Sequence, residues 1–196
     1  MRIIAGEKRG MLILSPKTSG TRPVTDRVKE SIFNILQKYG PMNGTWVADL
    51  FCGTGSMGLE SLSRGAEHAT FVESDPKVIE ILKDNIAKGR FDNRSKVVRA
   101  NAFKVGAASF EERRFDFVFV DPPYAMSRDV SENSQLGSLL KLLQGQITPE
   151  AVVVVRTEKE VKLLEKYGKL HIIDRRTWGS MSVVLLQIGK ESADDA

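Results

Sequence analysis

The chain has little of what several classes of protein need. Among 196 residues there is one cysteine, Cys52, which excludes an internal disulfide framework and fits a reducing cytosol. The two histidines, His68 and His171, stand far apart without the spacing of metal ligands, so we expect no metal. No apolar run approaches the ~20 residues that cross a bilayer, and the first residues lack the organisation of a signal peptide. We therefore expect a cytoplasmic protein without membrane contact.

Positive charge is concentrated at the start of the chain. Eight basic residues stand against three acidic ones through Lys38, although the net charge of the whole chain is only +4. Such a segment is typical of a nucleic-acid-binding surface, and a solvated surface without a partner explains it equally well. The candidate RNA contacts are Arg2, Lys8, Arg9, Arg22 and Arg27. An alternative places Arg22 or Arg27 over a bound nucleotide.

Strand and helix patterns alternate from Trp46 onward. The strand candidates are 46–50, 69–72, 96–99, 115–120, 151–155, 169–174 and 182–188, and helical stretches such as 57–64 and 77–87 lie between them. This order predicts an α/β fold with a mostly parallel seven-stranded sheet covered on both faces, ending in an antiparallel edge hairpin.

A small hairpin and a helix precede this sheet in the predicted order. The helix begins at Asp26 with Thr25 or Asp26 as its cap, and Gly40-Pro41 ends it. Lys29 and Glu30 fit the exposed charges of an ordinary capped helix start. We therefore divide the chain into a basic hairpin-and-helix extension (1–40), a core (41–190) and a disordered tail (191–196).

A glycine loop follows the first strand. Gly53, Gly55 and Gly58 form G-x-G-x-x-G between a strand and a helix, Asp49 opens the loop, and Glu73 ends the next strand. Glu73 is placed to accept hydrogen bonds from two ribose hydroxyls. A dinucleotide fits the loop through its pyrophosphate, whereas the charge of Asp49 favours the cationic S-adenosylmethionine. The simplest alternative is a tight turn without a ligand.

The stretch Asp121-Pro122-Pro123-Tyr124 ends the fourth strand. A carboxylate and two prolyl carbonyls accept hydrogen bonds, neither proline donates one, and the aromatic ring offers a stacking face. This chemistry suits an exocyclic amine on a planar ring better than a phosphate. A stiff turn without function is the structural alternative.

Four strand ends therefore carry candidate groups at one edge of the sheet, where ligands bind in open α/β folds. After the third strand, Asn101 either contacts an adenine or simply caps a helix. The candidate cofactor-binding residues are Asp49, Phe51, Gly53, Gly55, Glu73, Ser74, Asn101, Ala102 and Asp121. The candidate catalytic residues are Asp121, Pro122, Pro123 and Tyr124.

Beyond these sites, the sequence resembles a known family. The loop and the Asp-Pro-Pro-Tyr stretch look like those of class I S-adenosylmethionine-dependent methyltransferases that act on exocyclic nitrogens. Segments 2–6, 9–10, 22–30, 33–34 and 58–66 narrow the resemblance to the RsmD family of bacterial guanine-N2 methyltransferases of small-subunit ribosomal RNA. Three residues depart from the family pattern: Val24, Ser61 and Arg156, the last at an expected acidic position. We assign Arg156 no role.

The resemblance implies a Rossmann-like core, S-adenosylmethionine as cofactor, and direct in-line methyl transfer to a flipped guanine of 16S rRNA. We expect a monomer acting on an assembling small ribosomal subunit. Other amines remain open as substrates, namely a DNA adenine or cytosine or a protein glutamine. An NAD-dependent oxidoreductase explains the glycine loop but leaves Asp121 without a task, and an RNA-binding module without catalysis is a third possibility.

Overall fold

The computed structural model describes residues 1–16, 25–108 and 113–189. Within these ranges the strands are β1 (Trp46–Leu50), β2 (His68–Glu73), β3 (Ser95–Arg99), β4 (Phe115–Val120), β5 (Ile147–Glu158), β6 (Lys166–Tyr167), β7 (Leu170–Trp178) and β8 (Met181–Ile188). The helices are α1 (Asp26–Leu36), α2 (Ser56–Ser63), α3 (Pro76–Gly89), α4 (Ala102–Val105) and α5 (Gln135–Leu143). The predicted tail, Arg22 and Val24 lie outside the described residues.

One sheet contains all these strands, in the order β3-β2-β1-β4-β5-β8-β7-β6. Strands β1 to β5 run parallel to one another, whereas β8 pairs antiparallel with both β5 and β7. Because β2 and β3 lie on one side of β1 and β4 and β5 on the other, the strand order reverses between β1 and β4. The carboxyl ends of strands at such a reversal form the ligand crevice of open α/β sheets.

The predicted α/β class with a mostly parallel sheet is confirmed, but within the described residues the sheet has eight strands rather than seven. The additional strand is β6, which pairs with β7 through only two residues and therefore shows no alternating pattern in the sequence. Strand β5 also extends from Ile147 to Glu158, well beyond the predicted 151–155. Its extension brings Arg156 into the sheet.

Side chains alternate between the two faces of the sheet, as the pleat requires. Val47, Phe117 and Phe119 pack with α1, α2 and α3 in one buried cluster. Ala48 and Val118 belong to a second cluster, with α4 and α5. The apolar runs in β1 and β4 thus serve both faces, which is why they read as continuous hydrophobic stretches.

The N-terminal extension packs on the first of these faces. Residues 1–3 pair antiparallel with residues 11–13, which confirms the small hairpin. Helix α1 begins with the predicted cap, since Thr25 Oγ1 accepts the N–H of Val28 at 3.3 Å. The ring of Phe33 contacts that of Phe119, with 5.7 Å between centroids. The extension and the sheet therefore share one core.

A buried charge cluster fastens the extension to α2. The side chains of Lys29 and Glu60 are both fully buried, with Nζ 3.3 Å from Oε2. Glu60 also accepts the backbone N–H groups of Ile4 at 2.7 Å and Ala5 at 3.0 Å, and Arg64 Nε at 2.8 Å. Burial lowers the pKa of Lys29, and the charge of Glu60 opposes that fall. Lys29 is therefore not the exposed helix-start charge that the sequence suggested.

Substituting Glu60→Gln tests this cluster. The amide leaves the buried ammonium of Lys29 without a countercharge and offers one acceptor oxygen where the carboxylate offers two. We expect the free energy of unfolding in urea to fall by about 3–5 kcal/mol. The matched control is Glu80→Gln, which removes an exposed partner of Lys83 and causes a much smaller loss. Equal losses at the two positions would contradict the role of the cluster.

Candidate active site

Two carboxylates hold the glycine loop at its ends. Asp49, at the buried end region of β1, accepts the N–H of Gly58 at 2.8 Å. Glu73, at the end of β2, accepts the N–H of Gly53 through Oε2 at 3.0 Å. Its other oxygen, Oε1, accepts the N–H of Ser74 at 2.7 Å, so the carboxylate has a fixed orientation. The loop geometry therefore depends on acidic side chains from two adjacent strands.

Close packing explains the glycines on the inner side of this loop. A Cβ at Gly58 would lie 2.3 Å from the ring of Phe71, so only glycine lets α2 approach β2 this closely. Gly55 has a φ of +87°, and a Cβ there would lie 2.5 Å from the side chain of Leu82 on α3. Packing thus gives Gly55 a role besides the ligand approach expected from the sequence.

An apolar wall stands beside the loop. The rings of Phe51 and Phe103 lie 4.7 Å apart between centroids, and both side chains are half-buried. Asn101 Oδ1 accepts the N–H of Phe103 at 2.9 Å and so caps α4, while Ala102 is buried. The capping interpretation of Asn101 is therefore present in the structure, and its contact with an adenine stays a prediction.

Asp121 follows β4 and forms a two-pronged ion pair with Arg156. The guanidinium Nε lies 2.5 Å from Oδ1, and Nη2 lies 2.5 Å from Oδ2. Strand register brings them together, because Val120 and Val155 are partners in the parallel β4–β5 ladder. Burial raises the pKa of Asp121, and Arg156 opposes the rise. The remaining nitrogen of Arg156, Nη1, is buried without a hydrogen-bond partner among the described residues.

The two prolines after Asp121 differ in their surroundings. Pro122 is buried, whereas Pro123 is exposed and its carbonyl accepts the N–H of Met126 at 2.8 Å. Tyr124 starts the short turn that this bond closes, and its side chain is half-exposed. Pro123 therefore shapes the turn, and its carbonyl is already engaged in a hydrogen bond.

Three acidic side chains, Asp49, Glu73 and Asp121, lie at this edge of the sheet. The pKa of Asp49 is raised to about 8, because burial and the charges of Asp121 and Glu73 outweigh the hydrogen bond from Gly58, which lowers it. Burial also raises the pKa of the Cys52 thiol well above its ordinary value, so Cys52 is a buried apolar group and not a nucleophile. A cation bound beside Asp49 would favour the ionised form of this carboxyl.

The five candidate RNA contacts have different surroundings. Arg2 is exposed and its Nε lies 3.0 Å from the carboxylate of Asp26. Arg9 and Arg27 are exposed, while Lys8 is half-buried. Arg22 lies outside the described residues. The exposed Arg9 and Arg27 are the clearest candidates for contact with a polyanion.

Asn85 on α3 is a structurally important residue that was not predicted from the sequence. It is fully buried, and its amide donates to the carbonyls of Leu14 and Thr54, each at 3.1 Å. Its oxygen accepts the N–H of Leu14 at 2.7 Å. Asn85 therefore ties the N-terminal extension to the glycine loop. The available signal was a polar residue within the apolar stripe that also contains Leu82 and Ile86.

Other kinds of site are not seen in the ranges that the structure covers. Across 1–16, 25–108 and 113–189, no three histidine, cysteine or acidic side chains are grouped as metal ligands. Within the same ranges, no helix is long and apolar enough to cross a membrane. A cavity of about 650 Å³ lies between the extension and the segment before β1, lined by Phe33, Met42 and Arg64 among others. It does not coincide with the carboxylate-lined edge.

The sheet order, the carboxylate-held glycine loop and the proline turn at the next strand define a class I methyltransferase fold. The family described as conserved hypothetical protein 95 matches residues 1–187. The chain therefore belongs to this family, which is the RsmD family expected from the sequence.

Similar proteins include enzymes of known name. The chain is 36% identical over 198 aligned positions to ribosomal RNA small subunit methyltransferase D of Escherichia coli, covering 100% of this chain and 94% of the relative. The Haemophilus influenzae protein of the same name is 32% identical, with coverages of 95% and 93%. A solved structure of the "putative methyltransferase yhhF" from Escherichia coli superposes with a TM-score of 0.79 at 32% identity, covering 96% and 97% of the two chains.

The raised pKa of Asp49 predicts how stability depends on pH. The folded chain keeps this proton up to about pH 8, whereas an exposed carboxyl loses it near pH 4. The contribution of Asp49 to the free energy of unfolding therefore falls as pH rises through this window. The isosteric Asp49→Asn should flatten that slope in urea unfolding between pH 5 and pH 8.5. Asp84→Asn, on the exposed side of α3, is the control; a slope unchanged by Asp49→Asn would refute the assignment.

Proposed function

We propose that the chain transfers the methyl group of S-adenosylmethionine to the exocyclic N2 amine of a guanine in 16S rRNA. The observation that carries this proposal is the Asp121–Tyr124 turn, which lies beside the glycine loop at the reversal of the strand order. The similarity to small-subunit methyltransferase D supports the choice of ribosomal RNA. The base is flipped out of its stack, since the turn cannot reach an amine inside a helix.

The charge of the crevice supports S-adenosylmethionine over a dinucleotide. The carboxylates of Glu73 and Asp121 favour a sulfonium and an ammonium over a pyrophosphate, and a cation bound beside Asp49 would favour the ionised form of that buried carboxyl. Glu73 retains an acceptor position for a ribose hydroxyl on Oε2, which accepts the Gly53 N–H and has a second lone pair, whereas Oε1 already accepts the N–H groups of Ser74 and Asp75. Phe51, with Phe103 beside it, offers an apolar surface to the adenine, and Ser74, Asn101 and Ala102 complete the cofactor-binding set.

The acceptors of the turn supply the activation that a guanine amine needs. The lone pair of N2 is delocalised into the ring, so attack on a methyl group requires the nitrogen to become pyramidal and positive. The carboxylate of Asp121 and the carbonyl of Pro122 accept its two N–H bonds and stabilise that charge. Tyr124 stacks on the base and fixes the line of attack.

The reaction itself is a single displacement. The nitrogen forms a bond to the methyl carbon as the carbon–sulfur bond breaks, and the electron pair stays on sulfur in S-adenosylhomocysteine. The product ammonium is strongly acidic and loses its proton afterwards, so Asp121 serves as an acceptor of hydrogen bonds without acting as a strong base.

The basic extension is proposed as the RNA-binding surface. It lies against the cofactor loop, because Lys29 Nζ donates to Ser56 Oγ at 3.3 Å and Asn85 contacts both Leu14 and Thr54. Exposed cations on it therefore stand close to the proposed chemistry. We propose a monomer in the cytoplasm whose substrate is an assembling small subunit, because so short a chain offers few elements for reading naked RNA.

The function is tested by methyl transfer to small ribosomal subunits from a strain that lacks this gene. We expect label from S-adenosylmethionine in one nucleoside, identified by mass spectrometry as N2-methylguanosine. Detection of N6-methyladenosine or N4-methylcytidine instead would show that the substrate amine is not that of guanine. No transfer to RNA at all would refute the proposal.

Asp121→Ala provides the control for the active site in the same assay. It removes one of the two proposed acceptors, so transfer should fall by a factor of at least about 10² to 10³. Calorimetry should still detect S-adenosylmethionine, since the glycine loop is held by Asp49 and Glu73. Wild-type turnover by this variant would remove Asp121 from the mechanism.

Salt dependence tests the RNA-binding residues. If Arg9 and Arg27 contact phosphates, affinity for the small subunit falls steeply with salt, and each substitution to glutamine lowers the log–log slope by about one. Lys83→Gln on α3 removes the same charge from an exposed residue paired with Glu80 and leaves the slope unchanged. Equal slopes for all four proteins would place the RNA elsewhere.

A further inference from the structure

The ion pair between Asp121 and Arg156 is the strongest polar contact at the proposed reaction centre. Both carboxylate oxygens accept from the same guanidinium, each at 2.5 Å. The side chain of Arg156 is 14% exposed and that of Asp121 is 25% exposed. The carboxylate thus has one edge against the arginine and another open to the crevice.

We propose that Arg156 is the positioning residue of Asp121, holding the carboxylate ionised and in one orientation so that it accepts the substrate amine without acting as a base. This inference rests on the proposed function, because it concerns how Asp121 meets the amine. It assigns a role to a residue that was given none from the sequence.

Geometry provides the first argument. A planar guanidinium that donates two parallel hydrogen bonds fixes both the position and the plane of the carboxylate. A carboxylate has about four acceptor positions, and the arginine occupies two of them. The amine can therefore bind at the remaining positions while the ion pair stays intact. No rearrangement is needed before the reaction.

Charge provides the second argument. Burial favours the protonated form of Asp121, whose acidic neighbour Asp49 on β1 itself lies beside Glu73 of β2. At the carboxyl end of β5 the charged groups are Arg156 and, two residues further, Glu158, which is paired with Arg128. Arg156 is the cation in direct contact with Asp121, and it favours the ionised carboxylate.

Protonation would change what Asp121 can do. A neutral carboxyl presents an O–H donor to the crevice, where the amine also donates, and one acceptor position is lost. Arg156 opposes this state. A carboxylate paired with a guanidinium is also a weak base, so the proton of the product ammonium goes to water after the carbon–sulfur bond has broken.

Arg156→Gln and Arg156→Lys test the proposal in single-turnover transfer at saturating S-adenosylmethionine. With glutamine we expect a rate about 10- to 100-fold lower and an acidic limb displaced to higher pH, because the buried carboxyl loses its cation. Lysine keeps the charge without the fork, so it should restore the position of the limb but only part of the rate. A wild-type rate and pH profile for Arg156→Gln would overturn the proposal.

A second measurement does not depend on methyl transfer. The carboxyl carbons of ¹³C-labelled aspartates are titrated by NMR, with Asp121→Asn identifying the signal of Asp121. Arg156→Gln should move its midpoint to higher pH. The matched control Arg128→Gln removes a neighbouring guanidinium that pairs with Glu158 instead, and it should leave the midpoint in place. An unmoved midpoint in Arg156→Gln would contradict the proposal.

The proposed function of the turn and the proposed role of Arg156 can be refuted separately. If Asp121→Ala keeps full activity, the proposed function of the turn falls, whatever Arg156 does. If Asp121→Ala is inactive while Arg156→Gln retains the wild-type rate, pH profile and NMR midpoint, the mechanism stands and only the role of Arg156 falls. Calorimetry with S-adenosylmethionine and thermal unfolding check that both Arg156 variants are folded.

Discussion

The hydrogen bond from the Gly58 N–H to the buried carboxylate of Asp49 is the contact on which the rest of the site depends. It folds the glycine loop back onto β1 and sets where α2 begins. Glu73 holds the other end of the loop from the neighbouring strand. The arrangement places three carboxylates at one edge of the sheet and raises the pKa of Asp49 to about 8. Under the proposed function, a cationic cofactor bound at this edge would favour the ionised form of Asp49.

A second constraint fixes the N-terminal extension, the proposed RNA-binding surface, relative to the proposed active site. The basic extension is packed against the core. Glu60 accepts hydrogen bonds from its backbone, and Asn85 links Leu14 to the glycine loop. Both tethers are buried, and their polar atoms are satisfied only when the extension is docked. A substrate held by the extension is therefore held at a fixed position relative to the crevice. In the proposed division of roles, the exposed cations of the extension bind RNA and the acidic crevice binds the cofactor.

Much of the fold could be predicted from local sequence patterns, whereas less of the candidate site could. Strands such as β1 and β4 are apolar runs between turn signals, so their bounds were predicted residue for residue, whereas the two-residue β6 carries no pattern. The positions of Asp49 and Asp121 followed from the rule that parallel strands end at one edge. Burial of Lys29, Glu60 and Asn85 could not be predicted, because a polar residue on a helix is exposed unless another segment covers it. The pairing of Arg156 with Asp121 could not be predicted either, because it depends on the register of β4 and β5.

The central claim is that the Asp121–Tyr124 turn receives the amine of a guanine at the methyl donor. A structure of the protein trapped on a small ribosomal subunit with S-adenosylhomocysteine measures this directly. The account predicts a flipped guanine stacked on Tyr124, with N2 within about 3.2 Å of both the Asp121 carboxylate and the Pro122 carbonyl. A different base in the turn, or a guanine whose N2 points away from Asp121, would contradict it.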